Sequence, residues 1–268
     1  MKQPLIILTG PTAVGKTALS IRLAKAIGGE IISADSMQVY RHMDIGSAKV
    51  TKEEMDGVPH HLIDVLEPEE EFNVVVFKQM ATEALAGIYS RGNIPIVAGG
   101  TGFYIQALVN DIDFTENDGD TGYREELERL AAEKGASALH DMLKEVDPES
   151  AEAIHENNVK RVIRALEFYK KTGTKISSHN EAERKKESPY NFAYYVLNMD
   201  RGRLYERIDL RVDLMMKNGL LAEVEKLKEM GCTREMVSMQ GLGYKEIFAY
   251  LDGECTLEEA KEIIKRDT

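Results

Sequence analysis

The sequence predicts an α/β fold: a parallel sheet with a phosphate-binding loop (P-loop), flanked by helices and carrying an inserted all-helical module. Three observations lead there. Short apolar runs closed by glycine or aspartate alternate with helical stripes, the first run opens onto a complete phosphate-loop pattern, and the strand pattern lapses between residues 115 and 188 before it resumes.

Residues 5–9 (LIILT) are a short apolar run ended by Gly10 and read as a buried strand. Residues 17–27 then place Leu19, Leu23 and Ile27 four apart, one stripe of an amphipathic helix. Further strands are expected at 30–34 (EIISA, closed by Asp35), 94–98 (IPIVA, closed by Gly99-Gly100) and 193–199 (AYYVLNM, closed by Asp200). Ligands of such sheets gather beyond the carboxyl ends of the strands, where the loop 10–17, Asp35, Gly99 to Thr101 and Asp200 all fall. Residues 115–122 (TENDGDTG) read as a polar linker, followed by helical stretches at 123–134, 137–145, 149–155 and 158–171 and a polar, basic run from His179 to Ser188. The expected organisation is therefore a core of 1–114 and 189–268 around an insertion of 115–188. Helices follow at 203–218 and at 220–230, stopping at Gly231, and Thr256 with Glu259 forms a capping box for a last helix.

The 268 residues hold 34 Lys and Arg against 46 Asp and Glu, a formal net charge of −12. That balance argues against indiscriminate nucleic-acid binding, which needs a broad basic surface, but leaves room for a local basic patch. No apolar stretch is long enough to span a membrane, and the N-terminal run leads straight into the glycine motif rather than into a signal-peptide cleavage site. Cys232 and Cys255 have no ligand or redox spacing and read as reduced thiols of a cytoplasmic protein.

Gly10, Pro11, Thr12, Ala13, Val14, Gly15, Lys16 and Thr17 fit G-x-x-x-x-G-K-[ST] after a strand and before a helix. Successive backbone N–H groups and the helix dipole suit phosphate oxygens, Lys16 adds a point charge, and the Thr17 hydroxyl suits Mg²⁺. By pattern alone the motif is nucleotide-binding, even ATP-binding. A nucleotide hydrolase, however, normally ends an apolar strand in a metal-holding aspartate, and the run 94–98 ends in Ala98-Gly99-Gly100-Thr101. A transferase fits better.

Asp35-Ser36 follows the second strand directly. Its carboxylate is a metal ligand, a base taking a proton from an acceptor, or simply a turn-capping residue. Gly99-Gly100-Thr101 offers close backbone approach and a hydroxyl, or merely a tight turn into a helix. Arg203, Arg207 and Arg211 form a stripe opposite Leu204, Ile208, Val212 and Met215, either free for an anion or paired with Glu206, Asp209 and Asp213. Lys160, Arg161 and Arg164 lie opposite Val159, Val162, Ile163 and Leu166, either as a solvated face or as an RNA surface. His60-His61 has no partner set for zinc and reads as structural.

Seven blocks carry a resemblance: Gly10–Thr17, Ile32–Tyr40 (ISADSMQVY), Met43–Lys49 (MDIGSAK), Pro59–Asp64 (PHHLID), Gly99–Tyr104 (GGTGFY), Arg161–Glu167 (RVIRALE) and Gly241–Lys245 (GLGYK). In this order over nearly the whole chain they resemble the tRNA dimethylallyltransferases, the tRNA isopentenyltransferase family. The resemblance implies transfer of the dimethylallyl group of dimethylallyl diphosphate to the exocyclic N6 amine of the adenosine 3′ of the anticodon, in tRNAs reading codons that begin with U, with release of diphosphate. It implies that loop 10–17 and Arg211 hold the diphosphate, with Mg²⁺ on Thr17, that Asp35 is the catalytic base, and that Thr101 lines the reaction channel. It further places tRNA contacts at Asp35, Ser36, Met37, Gln38, Thr101, Arg124, Lys160, Arg161, Val162, Ile163, Arg164, Gln240, Gly241, Leu242, Gly243, Tyr244 and Lys245. A cytoplasmic monomer acting on the tRNA anticodon stem-loop, with no membrane partner, is expected. Family members continue past this point with a basic helical tail, so weaker tRNA affinity is expected of a chain stopping at Lys265-Arg266-Asp267-Thr268. Rival readings are a P-loop small-molecule kinase, an isopentenyltransferase acting on a free adenine nucleotide, and a non-catalytic, nucleotide-dependent RNA-binding protein.

Overall fold

Apolar residues that point to both faces of a sheet have to be covered on both, and Leu5, Ile7 and Leu8 of the first strand are all buried. The computed structural model, which describes residues 2–114 and 121–268, provides that cover. The chain runs β1 (Gln3–Thr9), α1 (Lys16–Ile27), β2 (Gly29–Ser33), α2 (Lys52–Met55), β3 (His60–His61), α3 (Val74–Ser90), β4 (Ile94–Gly99) and α4 (Gly102–Val109). After five further helices, α5 (Thr121–Lys134), α6 (Ala136–Val146), α7 (Pro148–Ala153), α8 (Val159–Thr172) and α9 (Ile176–Lys185), it returns to the sheet as β5 (Tyr190–Val196). It then ends in α10 (Arg201–Lys217), α11 (Leu220–Glu229), α12 (Tyr244–Leu251) and α13 (Leu257–Asp267).

The five strands are parallel in the order β3-β2-β4-β1-β5. Register is set by Ile6 opposite Ile96 and Ile31 opposite Ile96 on either side of β4. Consequently the segments that follow β1, β2 and β4 emerge side by side at one end of the sheet. One face packs Ile31 and Ile96 against Ile21 and Ala24 of α1, with Val50 and Val58. Elsewhere Tyr40, Phe72, Phe77 and Tyr104 form an aromatic run, with Phe77 and Tyr104 stacked at 4.7 Å.

Two compact units divide the chain, Met1–Val109 with Ser188–Thr268, and Asn110–Glu187. The second unit has its own core, in which Leu127, Leu139, Leu143, Val162, Ile163 and Leu166 are buried. Within it the buried Asp147 accepts hydrogen bonds from the N–H and hydroxyl groups of both Ser150 and Ser177. Of the predicted linker 115–122, residues 115–120 lie outside the described residues.

The last strand begins and ends three residues earlier than the apolar run 193–199. Its pairing starts at Gln3 opposite Tyr190, where Ser188 accepts the Tyr190 N–H, and Leu197 donates to Thr9 in passing before the chain turns towards Asp200. Helix α3 was hidden by its β-branched opening, Val74-Val75-Val76. Asn73 caps it by accepting the N–H groups of Val75 and Val76, and Phe77, Ala81, Leu85 and Ile88 bury the helical stripe. Helix α9 occupies most of the polar run His179 to Ser188, and α12 grows out of the glycine block at 241–245. Strand β3, only His60 and His61, has no apolar run to announce it. His61 meets the buried Glu30 at 2.7 Å, and His60 Nδ1 lies 2.8 Å from the Val58 carbonyl oxygen.

Candidate active site

Glycine decides where the strand ends meet. A Cβ on Gly99 would sit 2.2 Å from the Ala34 carbonyl oxygen, and one on Gly10 would lie 2.5 Å from that of Leu197. No side chain is tolerated at either point, so β4 closes onto β2, and β1 onto the segment after β5. The Thr101 N–H donates to the Ala34 carbonyl at 3.2 Å, tying the start of α4 to the residue before Asp35.

The loop between β1 and α1 wraps its own lysine: Lys16 Nζ donates to the carbonyls of Gly10 and Pro11, both at 2.8 Å. Val14 is buried and anchors the loop, while Thr17 is exposed at the helix start. Ala13 takes a positive φ of 62°, and its carbonyl receives the Arg207 Nε at 2.8 Å. An open cleft of about 600 Å³ lies beside the loop, lined by Thr12, Lys16, Thr17, Asp35, Arg207 and Arg211 on its polar side. Its apolar side includes Ile21, Leu210 and Leu214, and Leu210 and Leu214 are 60% and 46% exposed. A smaller recess of about 50 Å³, lined by Ser20, Ser33, His60 and Gly99, shares Lys16, Thr17, Asp35 and Gln38 with it.

Charge in the cleft is organised around Asp35. Burial pushes the Lys16 ammonium below its ordinary pKa, the Asp35 carboxylate pulls it back up, and Arg211 lowers it further. Burial likewise lowers Arg211, against the pull of Asp35. Two desolvated cations facing one carboxylate make a net positive, partly dry site, and such a site is suited to an anion. Asp35 also keeps the turn role: its Oδ1 accepts the N–H groups of Met37 at 2.8 Å and Gln38 at 3.3 Å. Thr17 and Asp35 supply one hydroxyl and one carboxylate. Among the described residues no three His, Cys, Asp or Glu side chains converge. That donor set fits a Mg²⁺ held largely by phosphate oxygens and water, not one caged by protein.

The family described as IPP transferase matches residues 38–268, and that described as isopentenyl transferase matches residues 3–67. The tRNA dimethylallyltransferase of Lachnoclostridium phytofermentans is 68% identical over 266 residues, covering 99% of this chain and 85% of that protein. The chain belongs to the tRNA dimethylallyltransferase family. Another member, from Carboxydothermus hydrogenoformans, is 53% identical over 268 residues, covering 100% of this chain and 86% of its own. The crystal structure of the full-length tRNA isopentenylpyrophosphate transferase from Bacillus halodurans is similar at a TM-score of 0.73 and 48% identity, with 100% of this chain and 83% of that one covered. A eukaryotic dimethylallyltransferase acting on tRNA matches at a TM-score of 0.86 and 33% identity, over 99% of this chain and 67% of its own.

Against that dimethylallyltransferase background, the expected site residues separate into groups. The loop residues, Asp35, Gln38 and Arg211 come together around the cleft, and Thr101 sits on the adjoining strand end. Ser36 and Met37 form the turn after Asp35, and Gly241 packs against Met37 so closely that a Cβ would meet its sulfur at 2.5 Å. Tyr244 is not a surface contact. It is fully buried, donates its hydroxyl to Glu223 at 2.8 Å and accepts the Ser47 N–H at 3.2 Å, so its role is to brace the core. Gly243 is buried, with a φ of 97° that favours glycine. Leu242 and Lys245 are half-buried and Gln240 is exposed, its amide donating to the Arg234 carbonyl.

In α8, Lys160, Arg161 and Arg164 are exposed and make no ion pair among the described residues. Val162 and Ile163 are instead core: at 0% and 3% exposure their side chains are unavailable to RNA. Arg124 is paired, donating to both carboxylate oxygens of Glu167 at 3.0 and 2.7 Å. Of the cleft residues of α10, the sequence reading leaves Arg207 open as one arginine of the stripe and does not single out Leu210 and Leu214. Arg207 reaches the phosphate loop instead of a surface acid, Leu210 and Leu214 form the apolar wall, and Asp213 pairs with Lys261 and Lys265 of α13. The signal was available, since 207, 210, 211 and 214 share a helical face.

Proposed function

We infer that this protein is a tRNA-modifying prenyltransferase that moves the dimethylallyl group of dimethylallyl diphosphate onto the exocyclic N6 amine of the adenosine 3′ of the anticodon, in tRNAs reading codons that begin with U. The observation that carries this reading is a cleft with three walls: a phosphate loop with desolvated cations, an exposed leucine pair, and one carboxylate. Membership of the tRNA dimethylallyltransferase family supports it independently.

In this reading the loop amides from Gly10 to Thr17, Lys16, Arg211 and Arg207 hold the diphosphate. Leu210, Leu214 and Ile21 hold the dimethylallyl chain out of water. The amine nitrogen forms a bond to the allylic carbon, the bond from that carbon to the diphosphate oxygen breaks, and Asp35 takes the amine proton. The leaving group carries away the electron pair, and the cations lower the barrier by neutralising its growing charge. A Mg²⁺ on Thr17 would supply further charge neutralisation of the diphosphate. To reach Asp35 the adenine has to leave its stack, as base-modifying enzymes require. Lys160, Arg161 and Arg164 supply phosphate contacts to the anticodon stem-loop. No helix among the described residues is long and apolar enough to cross a membrane, and a monomeric cytoplasmic enzyme is the simplest form of the reading.

Incubating anticodon stem-loop RNA with dimethylallyl diphosphate, Mg²⁺ and the protein, then weighing the RNA by mass spectrometry, tests this function. A gain of one dimethylallyl group at adenosine is expected. A phosphate gain, or transfer only to a free adenine nucleotide, would replace it with a kinase or a free-nucleotide transferase.

A further inference from the structure

Gln38 lines both the cleft and the recess beside it. Its side-chain nitrogen lies 3.4 Å from each of two backbone carbonyls, those of Ser47 and Ala48. Two acceptors on one end of a carboxamide fix its orientation: the NH₂ end faces the loop, and Oε1 is the end left for the cleft. The grip is only as good as the loop that supplies the carbonyls. That loop is strained, with His42 and Ala48 at φ of 66° and 45°, a conformation that non-glycine residues hold only where their surroundings impose it.

The constraint comes from α11, far along the chain. Glu223 accepts the consecutive N–H groups of Asp44, Ile45 and Gly46 at 2.9, 2.7 and 3.0 Å, and the Tyr244 hydroxyl at 2.8 Å. The Tyr244 ring then closes over Gly46, where a Cβ would meet it at 2.6 Å. From the other side Lys49 Nζ is bonded to the Tyr40 carbonyl, Asp44 and Asp64. A carboxylate in a nest of three amides is a charge-assisted clamp, stronger than neutral hydrogen bonds would be.

We propose that Glu223 is a positioning residue for the reaction. By clamping residues 44–46 it fixes the Ser47 and Ala48 carbonyls that orient Gln38, so that Gln38 presents an acceptor oxygen beside the Asp35 carboxylate. Two neighbouring acceptors suit a group with two N–H donors, an amino group, and repel a carbonyl oxygen in its place. The clamp therefore serves recognition of the acceptor base, not of the diphosphate. This rests on the prenyl-transfer reading above.

The test is a double-mutant cycle between Glu223→Gln and Gln38→Ala in the full chain. Glu223→Gln keeps the shape but puts an NH₂ group against amide donors. It is expected to raise KM for anticodon stem-loop RNA about tenfold, to leave KM for dimethylallyl diphosphate within about twofold, and to speed hydrogen exchange of the 44–46 amides. In the Gln38→Ala background it should change KM for RNA by less than about twofold, since the group it orients is gone. Fully multiplicative effects of the two substitutions, or an unchanged KM in Glu223→Gln with faster exchange at 44–46, would overturn the proposal and leave Glu223 a structural brace. If Glu223→Gln does not fold, Tyr244→Phe removes one partner of the clamp and should give a smaller shift of the same kind, with the same non-additivity. Wild-type protein that transfers nothing to RNA defeats the prenyl-transfer reading itself; the same cycle read as Kd for the stem-loop then decides the role of Glu223 separately.

Discussion

At Asp35 one oxygen is spent on the amides of Met37 and Gln38, which is why a capping reading and a catalytic reading were both consistent with its place after a strand. It also stands as a carboxylate among cations, Lys16 and Arg211, a setting that a turn role alone does not require and that the proposed base role uses. Replacing it as Asp35→Asn keeps the turn acceptor and removes the base. The chemical step should slow by about 10²- to 10⁴-fold in single turnover, while diphosphate binding measured by calorimetry changes little. At Gly99 the sequence suggests close backbone approach or a tight turn but not the partner; that partner, the Ala34 carbonyl 2.2 Å from any Cβ, is a neighbour distant in sequence. Gly99→Ala should therefore cost about 1–3 kcal/mol in urea denaturation and lower activity together with stability. For Arg207 the sequence leaves open a free guanidinium or a partner among nearby acids of the helix, and the acceptor is instead a loop carbonyl on another element.

Helix α8 shows how far periodicity carries a prediction and where a motif match misleads. Its apolar stripe and its cationic stripe were both readable from 3.6-residue spacing, and the structure buries one and exposes the other. The block taken as RNA contacts nonetheless ran straight through both faces, sweeping Val162 and Ile163 into it. The two faces should respond in opposite ways. Ile163→Ala is expected to destabilise the helical unit by about 2–5 kcal/mol, read by hydrogen exchange. Arg161→Ala should leave stability within about 0.5 kcal/mol, weaken RNA binding, and reduce by about 1 the slope of log K against log salt concentration. Helices α3 and α12 were missed for lack of a local signal. The first opens on three valines, and the second emerges from glycines that a sequence reader assigns to a loop.

For the molecule as a whole, the alternation of strands and helices conveyed the parallel sheet, but not the edge strand β3, which holds two histidines and no apolar residue. The buried Glu30 beside that strand gives the sheet unit an acid-sensitive point. Hydrogen bonds from Arg91 lower its pKa to about 2 from the ordinary 4.5, with burial opposing and Asn93 and His61 adding to the effect. A carboxylate depressed on folding stabilises the native state above its unfolded pKa and loses that contribution as the pH falls through the folded one. Urea denaturation should thus show about 3 kcal/mol disappearing between about pH 4.5 and 2, and Glu30→Gln should abolish that dependence. Lastly, the point where the helical unit departs is also where it comes back: the Ser188 hydroxyl donates to the Val109 carbonyl and accepts the N–H of Tyr190, where β5 starts. That stitch holds the two ends of the excursion side by side within the sheet unit. Because the cost of closing a loop grows only slowly with its length, a change in the number of residues between 110 and 187 is expected to leave the loop at 10–17 as it is.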